Sequence, residues 1–315
     1  MGVFVARRLV QGVLVLLLVS AFTFFLVNLA PGGPAAAVSL ERTAAEREAL
    51  LRQYGLDKPV VVRYATWLGG VVQGDLGTSL TQGLPVVSLL AQRLGNTLQL
   101  ALTALVLTAL FGVTLGVLAA VTQNRLPDHL ISSVATLGMS VPGFWLGIVS
   151  IIVFSVRLGW LPSSGVASVG GGFSLLDRAQ HLVMPAGVLA FTLLPNVVRV
   201  ARSAMLEVLS SDYVRTARAK GLPGRTVLLK HTFKNALVPV IAILGLITTV
   251  LFSGSVVIES VFSWPGLGRL AIEAANGRDY PVILGVTLVA GTIVVVVNLL
   301  VDILYAAVDP RISYD

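Results

Sequence analysis

The sequence predicts an all-α membrane protein with six transmembrane helices. Of the 315 residues, 56% are hydrophobic and only 12% are charged, and the mean hydropathy is +0.90. This composition lies far outside the range of soluble domains of similar size. Each apolar run is close to the roughly 20 residues that a helix needs to cross a bilayer. The runs are Leu9–Ala30, Thr97–Val121, Ile131–Val156, Leu182–Val198, Leu237–Val257 and Val282–Tyr305.

The first run is predicted to be a retained span and not a cleaved signal peptide. Arg7 and Arg8 precede it, and the alanines at 35–37 resemble a cleavage site. However, the apolar stretch is longer than the roughly 7–15 residues of a signal peptide core. We therefore expect Leu9–Ala30 to remain in the membrane.

Positive residues predict the orientation of the spans. With six spans, both termini lie on the same side of the membrane. If that side is the cytoplasm, it holds 12 Lys and Arg residues and the short outer loops hold 4. The remaining 6 belong to the long segment between the first two spans, where the positive-inside rule counts least. Because cytoplasmic loops are enriched in Lys and Arg, both termini are expected inside.

A basic segment between the fourth and fifth spans contains 8 of the 22 Lys and Arg residues, from Arg199 to Lys234. Such a segment cannot lie in hydrocarbon. Gly221-Leu222-Pro223-Gly224 divides it into two halves of helical length, which predicts a helix, a tight turn and a second helix. A structured hairpin of this kind is typical of a surface that binds a cytoplasmic partner. The alternative is a loop whose charges only set the topology.

The segment Pro31–Gln92 is too long for a simple connection and is predicted to form a small extracytoplasmic subdomain. Leu40–Tyr54 has the composition of a helix, and a β-branched, aromatic stretch follows around Val60–Leu68. The glycine-rich stretch Gly74–Ser79 comes next. The subdomain is a cap over the helix ends or a docking or gating surface, and these two interpretations do not exclude each other.

Several function classes are excluded by missing residues. The chain has no cysteine, and its three histidines match no zinc signature. It contains no G-x-x-x-x-G-K-[ST] sequence to hold a triphosphate and no group of catalytic residues. An intramembrane enzyme is therefore disfavoured. An ion-driven secondary transporter is the other alternative, but neither an internal repeat nor a carboxylate in the middle of a span supports it.

A series of motifs, in order along essentially the whole chain, resembles the permease subunits of ATP-driven, binding-protein-dependent importers. The match is to the branch that carries dipeptides, oligopeptides and nickel. The motifs are Arg7-Arg8, Pro31–Pro34, Tyr54–Pro59, Gly74–Ser79, Ser140–Phe144, Asp212–Gly221, His231, Asn235–Pro239, Glu259–Gly268, Arg278–Pro281 and Asp309–Arg311. Each motif is weak alone, but together they are specific.

The resemblance implies the type I ABC importer permease fold in a prokaryotic cytoplasmic (inner) membrane. Residues 1–94 would hold the first span and the extracytoplasmic subdomain, 95–307 the permease domain, and 308–315 a cytoplasmic tail. The expected partners are a second, homologous permease subunit, two cytoplasmic ATP-binding subunits and an extracytoplasmic solute-binding protein. ATP and Mg would be bound by the partners, and no cofactor by this chain. Dipeptides or oligopeptides are the expected solutes, with a nickel chelate, glutathione or an oligosaccharide as alternatives.

The resemblance also identifies the basic segment, about 201–236, as a coupling loop that transmits ATP-driven movement. Arg215 lies where the general pattern has Glu, and the Leu-Pro element comes late, at Leu237–Pro239; both departures are features of the peptide branch. Small residues in the loop would allow close approach to the ATPases and the charged ones would supply contacts. The predicted coupling residues are Glu207, Asp212, Tyr213, Arg215, Ala217, Arg218, Ala219, Lys220 and Gly221.

Four residues are candidates for a gate or solute pathway: Glu259, Phe144, Trp145 and Trp264. An ionisable residue at membrane depth points to function, but Glu259 lies near the end of the fifth span, where its cost is smaller. A helix cap or an interfacial salt bridge is therefore favoured over a gate. Trp264 begins a turn before a predicted short amphipathic helix at 268–276, and could instead anchor the chain at the membrane interface. The pairs Gly112/Gly116 and Gly143/Gly147 have the spacing of close helix packing.

Overall fold

The computed structural model describes residues 2–29 and 57–308, except 169, 171 and 173. It describes the side chains of these residues except 2–4, 253, 254 and 304–308. The predicted helix Leu40–Tyr54, the motif at 31–34 and the tail 309–315 lie outside the described residues.

The described part of the chain is helical, with one isolated β-bridge between Thr78 and Pro85. Its long and medium helices are α1 (Gly2–Leu29), α2 (Val60–Val72), α3 (Val86–Val121), α4 (Leu126–Ser140), α5 (Gly143–Ser150), α6 (Leu175–Leu209), α7 (Asp212–Ala219), α8 (Lys234–Val261), α9 (Leu267–Asn276) and α10 (Tyr280–Val308). Two π-helical segments adjoin them. Ile151–Arg157 continues α5, and Val227–Phe233 links one helical turn at Gly224–Thr226 to α8.

Five helical stretches in the described residues are long and apolar enough to cross a membrane. They are Val5–Leu29, Val86–Val121, Leu175–Leu209, Gly224–Phe252 and Tyr280–Ile303. The pair Leu126–Ser140 and Gly143–Arg157 passes the same test together, but it is bent by 99°. Counting this pair as one broken span gives six, in agreement with the sequence prediction.

The third span is therefore not the continuous helix that the sequence predicts. The break falls at Val141 and Pro142, where Val141 has extended backbone angles (φ −94°, ψ 121°). Proline disfavours a helical conformation in the residue before it and donates no backbone hydrogen bond, so a helix ends at this point. Pro142 then precedes the first residue of α5.

The fourth span is longer than its apolar run. It is expected to cover Leu182–Val198, with prolines near both ends, but α6 extends from Leu175 to Leu209 and contains Pro185 and Pro195 in its interior. Ser174 caps its start by accepting a hydrogen bond from the Asp177 N–H. Hydropathy marks only the membrane-embedded part of this helix.

The chain divides into two compact units, one of residues 1–97 and 265–296, the other of residues 98–264 and 297–315. The core of the first is built from the beginnings of α3 and α10 together with α9 and Leu76. The amphipathic helix expected at 268–276 is present as α9, with its apolar residues Leu267, Leu270 and Ala274 buried in this core.

Aromatic packing holds α2 against α1 in the first unit. The ring of Phe24 lies 5.3 Å from that of Tyr64 and 6.2 Å from that of Trp67. The Ser20 and Tyr64 hydroxyl oxygens are 3.0 Å apart. The β-branched stretch at 60–68 is thus helical, because aromatic contacts with α1 outweigh the weak helix propensity of valine.

Close helix packing in the second unit depends on glycine. A Cβ atom on Gly116 would lie 2.8 Å from the Val198 carbonyl oxygen and 2.6 Å from the Ala201 Cβ, and one on Gly112 would lie 2.7 Å from the Val197 Cβ. Only glycine allows α3 to approach α6 this closely. The close-packing interpretation of the Gly112/Gly116 pair is confirmed.

Candidate coupling site

The basic segment forms a helical hairpin, as its sequence predicts. The long helix α6 ends at Leu209, and α7 follows after two residues. A turn at Lys220–Pro223 then leads into the helical turn at Gly224–Thr226 and on to α8. The flanking helices extend into the segment, so that Arg199, Arg202 and Glu207 belong to α6. The segment Ser210–Pro223 contains α7 and the turn that follows it, and we refer to this segment as the coupling hairpin.

The turn of the coupling hairpin is a Schellman motif. The N–H of Leu222 donates to the Ala217 carbonyl (3.4 Å), and the N–H of Gly221 donates to the Arg218 carbonyl (3.0 Å). Gly221 has φ +75°, the left-handed conformation that the motif requires and that glycine adopts without a steric penalty. The turn is therefore set by Gly221.

The inner face of α7 packs on its own chain. Val214 is completely buried and Ala217 is 7% exposed, and both contact Val227 and Val208 on the neighbouring helices. The Tyr213 hydroxyl accepts a hydrogen bond from the Asn235 side chain (3.0 Å) at the start of α8. These contacts attach α7 to α6, to the π-helical segment Val227–Phe233 and to the start of α8.

The outer face of the coupling hairpin is polar and mostly positive. Of the nine predicted coupling residues, eight have exposed side chains or, for glycine, an exposed backbone: Glu207, Asp212, Tyr213, Arg215, Arg218, Ala219, Lys220 and Gly221. Arg215 and Asp212 are 3.5 Å apart but almost fully exposed, so their ion pair adds little stability. Ala217 is the exception. Its side chain packs inward and does not reach the surface that a partner would contact.

A cavity of about 670 Å³ lies beside the coupling hairpin. It is lined by the end of α3, the end of α6 and the helical turn after the hairpin, and three arginines surround it: Arg125, Arg218 and Arg225. No Asp or Glu is present among its described lining residues. The hairpin thus presents positive charge on this side as well as on its tip.

A π-helical segment, Val227–Phe233, separates the coupling hairpin from α8. The buried hydroxyl of Thr232 donates to the Val227 carbonyl (3.1 Å), five residues earlier. Segments of π-helix are rare and occur frequently at functional sites.

A buried ion pair fastens α6 to α4 near the coupling hairpin. The Arg202 guanidinium binds the Asp128 carboxylate through two hydrogen bonds of 2.7 Å each. Asp128 also accepts from the Asn124 N–H (2.9 Å), and its side chain is only 3% exposed. Two parallel bonds of this kind fix orientation as well as distance. The pair therefore fixes the position of α6 relative to α4 at this point.

Sequence reasoning missed Asp128. Arg202 lies in the basic segment that the sequence predicts as a coupling loop, and no spacing rule connects two residues 74 positions apart. One sequence feature does point to an ion pair. Asp128 is an acidic residue just before the third apolar run, on the side of the membrane where most basic residues are predicted.

The four pathway candidates do not form one site. Glu259 and Trp264 are completely buried, and the backbone N–H of Trp264 donates to the backbone carbonyl of Glu259 (2.7 Å). Since Trp264 lies within the hydrophobic core, it is not an interfacial anchor. Phe144 lines a cavity of about 290 Å³ with residues of α6 and α8, whereas Trp145 is half exposed. A gate or pathway role for Glu259 stays a prediction.

Comparison with protein families agrees with this architecture. A family described as "Binding-protein-dependent transport system inner membrane component" matches residues 112–314. The model for the N-terminal part of the membrane component of such systems matches residues 1–101. The chain belongs to this family. It is the permease of a binding-protein-dependent ABC importer and a multi-pass protein of the inner membrane.

Similar proteins match this permease along its full length. The oligopeptide transport system permease protein AppB of Bacillus subtilis is 43% identical, with 100% of each chain covered. A putative peptide permease protein of Brucella ovis is 45% identical over 98% of each chain. The glutathione transport system permease protein GsiC of Salmonella paratyphi A is 41% identical over 99% of each.

A solved structure supports the fold of the permease. An inward-facing form of the MetNI methionine ABC transporter superposes with a TM-score of 0.58 and 20% identity. The alignment covers 70% of this chain and 96% of that one. At this identity the likeness shows the fold alone, which is that of a type I ABC importer permease.

Proposed function

We propose that this permease carries dipeptides or oligopeptides across the cytoplasmic membrane, in a complex driven by ATP hydrolysis on partner subunits. The observation that carries the proposal is full-length similarity, at 43% identity, to an oligopeptide transport permease. Motifs of the peptide branch, among them Arg215 in the coupling hairpin and the late Leu-Pro element, support the same solute class.

The geometry of the coupling hairpin favours a mechanical role. A partner ATPase that closes on ATP would push on the exposed face of α7. Val214 and Ala217 attach this helix to α6 and to the π-helical segment before α8, and Tyr213 attaches it to the start of α8. Because α6 and α8 pack together along the second unit, displacement of the hairpin would tilt both helices. The Asp128–Arg202 pair would pass the movement to α4. The solute cavity would then open alternately to the two sides of the membrane.

The partners follow from this mechanism. Two cytoplasmic ATPases would contact the coupling hairpin, a second homologous permease would complete the pathway, and an extracytoplasmic binding protein would deliver the solute. ATP and Mg would be held by the ATPases, and this chain would carry no cofactor and no catalytic activity of its own. Both termini and the coupling hairpin would lie in the cytoplasm, where the positive residues are concentrated.

Glutathione is the second candidate solute, because a glutathione transport permease is 41% identical over 99% of this chain. It is itself a small peptide. Selection between it and longer peptides would rest mainly with the binding protein, which captures the solute before delivery.

The test is to purify the complex through a tag on this chain and identify the molecule held by its binding protein by mass spectrometry. A peptide of two or more residues, together with ATPase subunits in the same preparation, is the expected result. Glutathione as the bound solute would favour the second candidate. An oligosaccharide or a metal chelate would contradict peptide transport, and a preparation without an ATPase would contradict the coupling mechanism.

A further inference from the structure

A second cavity, of about 260 Å³, lies in the first compact unit, where α1, α2 and the start of α10 meet. Its floor is apolar and includes Phe24, Val27 and Leu284. Two cations, Lys58 and Arg63, line it, and its described lining residues include no Asp or Glu. The cavity therefore combines an apolar interior with uncompensated positive charge.

Arg63 is held at this cavity without a carboxylate partner in the described residues. Its guanidinium carbon lies 5.9 Å from the centre of the Phe24 ring, the distance range of a cation–π contact. Partial burial lowers the pKa of Arg63 below its usual value. A half-buried guanidinium normally has an anion to offset its desolvation, so an anionic ligand would complete this environment.

The buried indole N–H of Trp67 is a second, independent indication that a ligand binds here. Its indole N–H is buried and has no hydrogen-bond acceptor, and it is the one such side-chain atom found among the described residues. A buried donor without a partner is destabilising, because it has lost its hydrogen bonds to water. Trp67 lines the same cavity as Arg63 and is one helical turn away from it on α2. An acceptor oxygen in the cavity would satisfy both groups.

The setting of α2 indicates where the ligand comes from. The helix is apolar but has only 13 residues, too few to span a bilayer. Its exposed valines, such as Val61 and Val62, accompany Tyr64 and Trp67, residues typical of a membrane interface. The adjoining end of α1 exposes Leu26 and Leu29, so apolar surface suited to lipid lies near the cavity.

We propose that this cavity binds an anionic phospholipid, with its phosphate at Arg63, Lys58 and the Trp67 N–H and its first acyl carbons on the apolar floor. Charge complementarity selects an anionic headgroup, and the apolar floor, with exposed apolar side chains nearby, selects an acyl chain over a soluble anion. The bound lipid would join α2 to α1 and to the start of α10.

Native mass spectrometry of the full-length protein in mild detergent tests the site. Dioleoyl phosphatidylglycerol and dioleoyl phosphatidylcholine share acyl chains and differ in headgroup charge. We expect at least one phosphatidylglycerol to be retained with about tenfold preference, the factor that one charge-assisted hydrogen bond supplies. Arg63→Gln should abolish the preference, and Lys58→Gln should reduce it. Trp67→Phe, which removes the N–H and keeps a ring, should weaken binding severalfold.

Arg93→Gln is the matched control, because Arg93 belongs to the same unit but does not line the cavity. It should leave the preference unchanged. If Arg93→Gln and Arg63→Gln lose the preference for phosphatidylglycerol equally, the lipid is attracted nonspecifically by positive charge, and the proposed site is wrong. Unchanged phosphatidylglycerol binding in Lys58→Gln and Trp67→Phe would also contradict the site. These two variants test the proposal even if Arg63→Gln does not fold. Displacement of the lipid by millimolar glycerol 3-phosphate would show a site for soluble phosphate and contradict the lipid proposal.

Discussion

The buried carboxylate of Asp279 organises the turn before α3. It accepts hydrogen bonds from the Ser79 hydroxyl (2.5 Å), the Leu80 N–H (3.1 Å), and the Thr81 N–H (3.1 Å) and hydroxyl (2.7 Å). The side chain is almost completely inaccessible, with the residue 1% exposed. Two sequence motifs nearly 200 residues apart, Gly74–Ser79 and Arg278–Pro281, are thus joined by one side chain.

Asp279→Asn should destabilise the protein by about 2 kcal/mol, because the amide nitrogen brings a donor to a position that already faces donors. The melting temperature of the purified protein measures the loss. Asp75→Asn is the control, since Asp75 is exposed and an asparagine oxygen could still accept from the Gly77 N–H. Equal melting temperatures for the two variants would contradict the role assigned to Asp279.

Arg202→Gln should leave the buried Asp128 carboxylate without its cation and cost about 3 kcal/mol. Arg199→Gln removes an exposed arginine one turn earlier on α6 and should be nearly neutral. If the pair also transmits movement, Arg202→Lys should keep most of the stability but lower transport per ATP hydrolysed, because lysine cannot form both bonds. Full transport by Arg202→Lys in reconstituted vesicles would limit the pair to a structural role.

Side-chain pairing of this kind lies beyond what the sequence alone predicts. Asp279 lies in the Arg278–Pro281 motif and Arg202 lies in the basic segment, but neither pattern identifies the residue to which the side chain binds. Hydrophobic periodicity reports which face is buried and says nothing about which distant polar groups meet there. The exposed coupling residues were predictable, because a polar hairpin between two apolar spans has to lie outside the membrane.

The Schellman turn gives the coupling hairpin its most sensitive position. Gly221→Val forces a β-branched residue into a left-handed conformation and should cost at least about 1–2 kcal/mol locally. We expect the variant to reach the membrane but to uncouple ATP hydrolysis from uptake, or to release the ATPases. Uptake and ATP hydrolysis in vesicles measure the coupling.

Gly224→Ala provides the matched control for Gly221→Val. Gly224 is three residues away, has no left-handed backbone, and has open space where a Cβ would lie. Its activity should remain close to that of the wild type. Normal uptake by Gly221→Val, or the same loss in both variants, would contradict the assignment of the hairpin turn.

At the level of helices, the sequence predicts their number and order better than their shape. Proline explains the break in the third span, yet Pro185 and Pro195 lie within α6 without ending it. The difference arises from context, because neighbouring helices in a membrane protein can compensate for a lost hydrogen bond. Helix α6 also extends beyond its apolar run into the polar segment, where hydropathy no longer marks it. Neither the continuation of α6 through its prolines nor its extension beyond the apolar run can be predicted from the residues of the helix alone.

Across the whole molecule, apolar surface and positive charge together define how the protein lies in the membrane. Many large apolar side chains on α1, α3 and α10 are exposed, as expected for helices that face lipid. Of the 22 Lys and Arg residues, 8 lie between Arg199 and Lys234, and the short outer loops hold only 4. These two patterns predict that the coupling hairpin is cytoplasmic and that the Thr78–Pro85 turn lies on the opposite side.

Cysteine labelling tests this orientation, since the natural chain contains no cysteine and an introduced one is unique. Gln82→Cys places a thiol on the exposed turn before α3, and Ala219→Cys places one on the exposed face of the coupling hairpin. A membrane-impermeant maleimide added to spheroplasts should label only the first variant. After the membrane is disrupted, it should label both, which controls for thiol accessibility. Labelling of Ala219→Cys in sealed spheroplasts would invert the topology and remove the coupling hairpin from the reach of cytoplasmic ATPases.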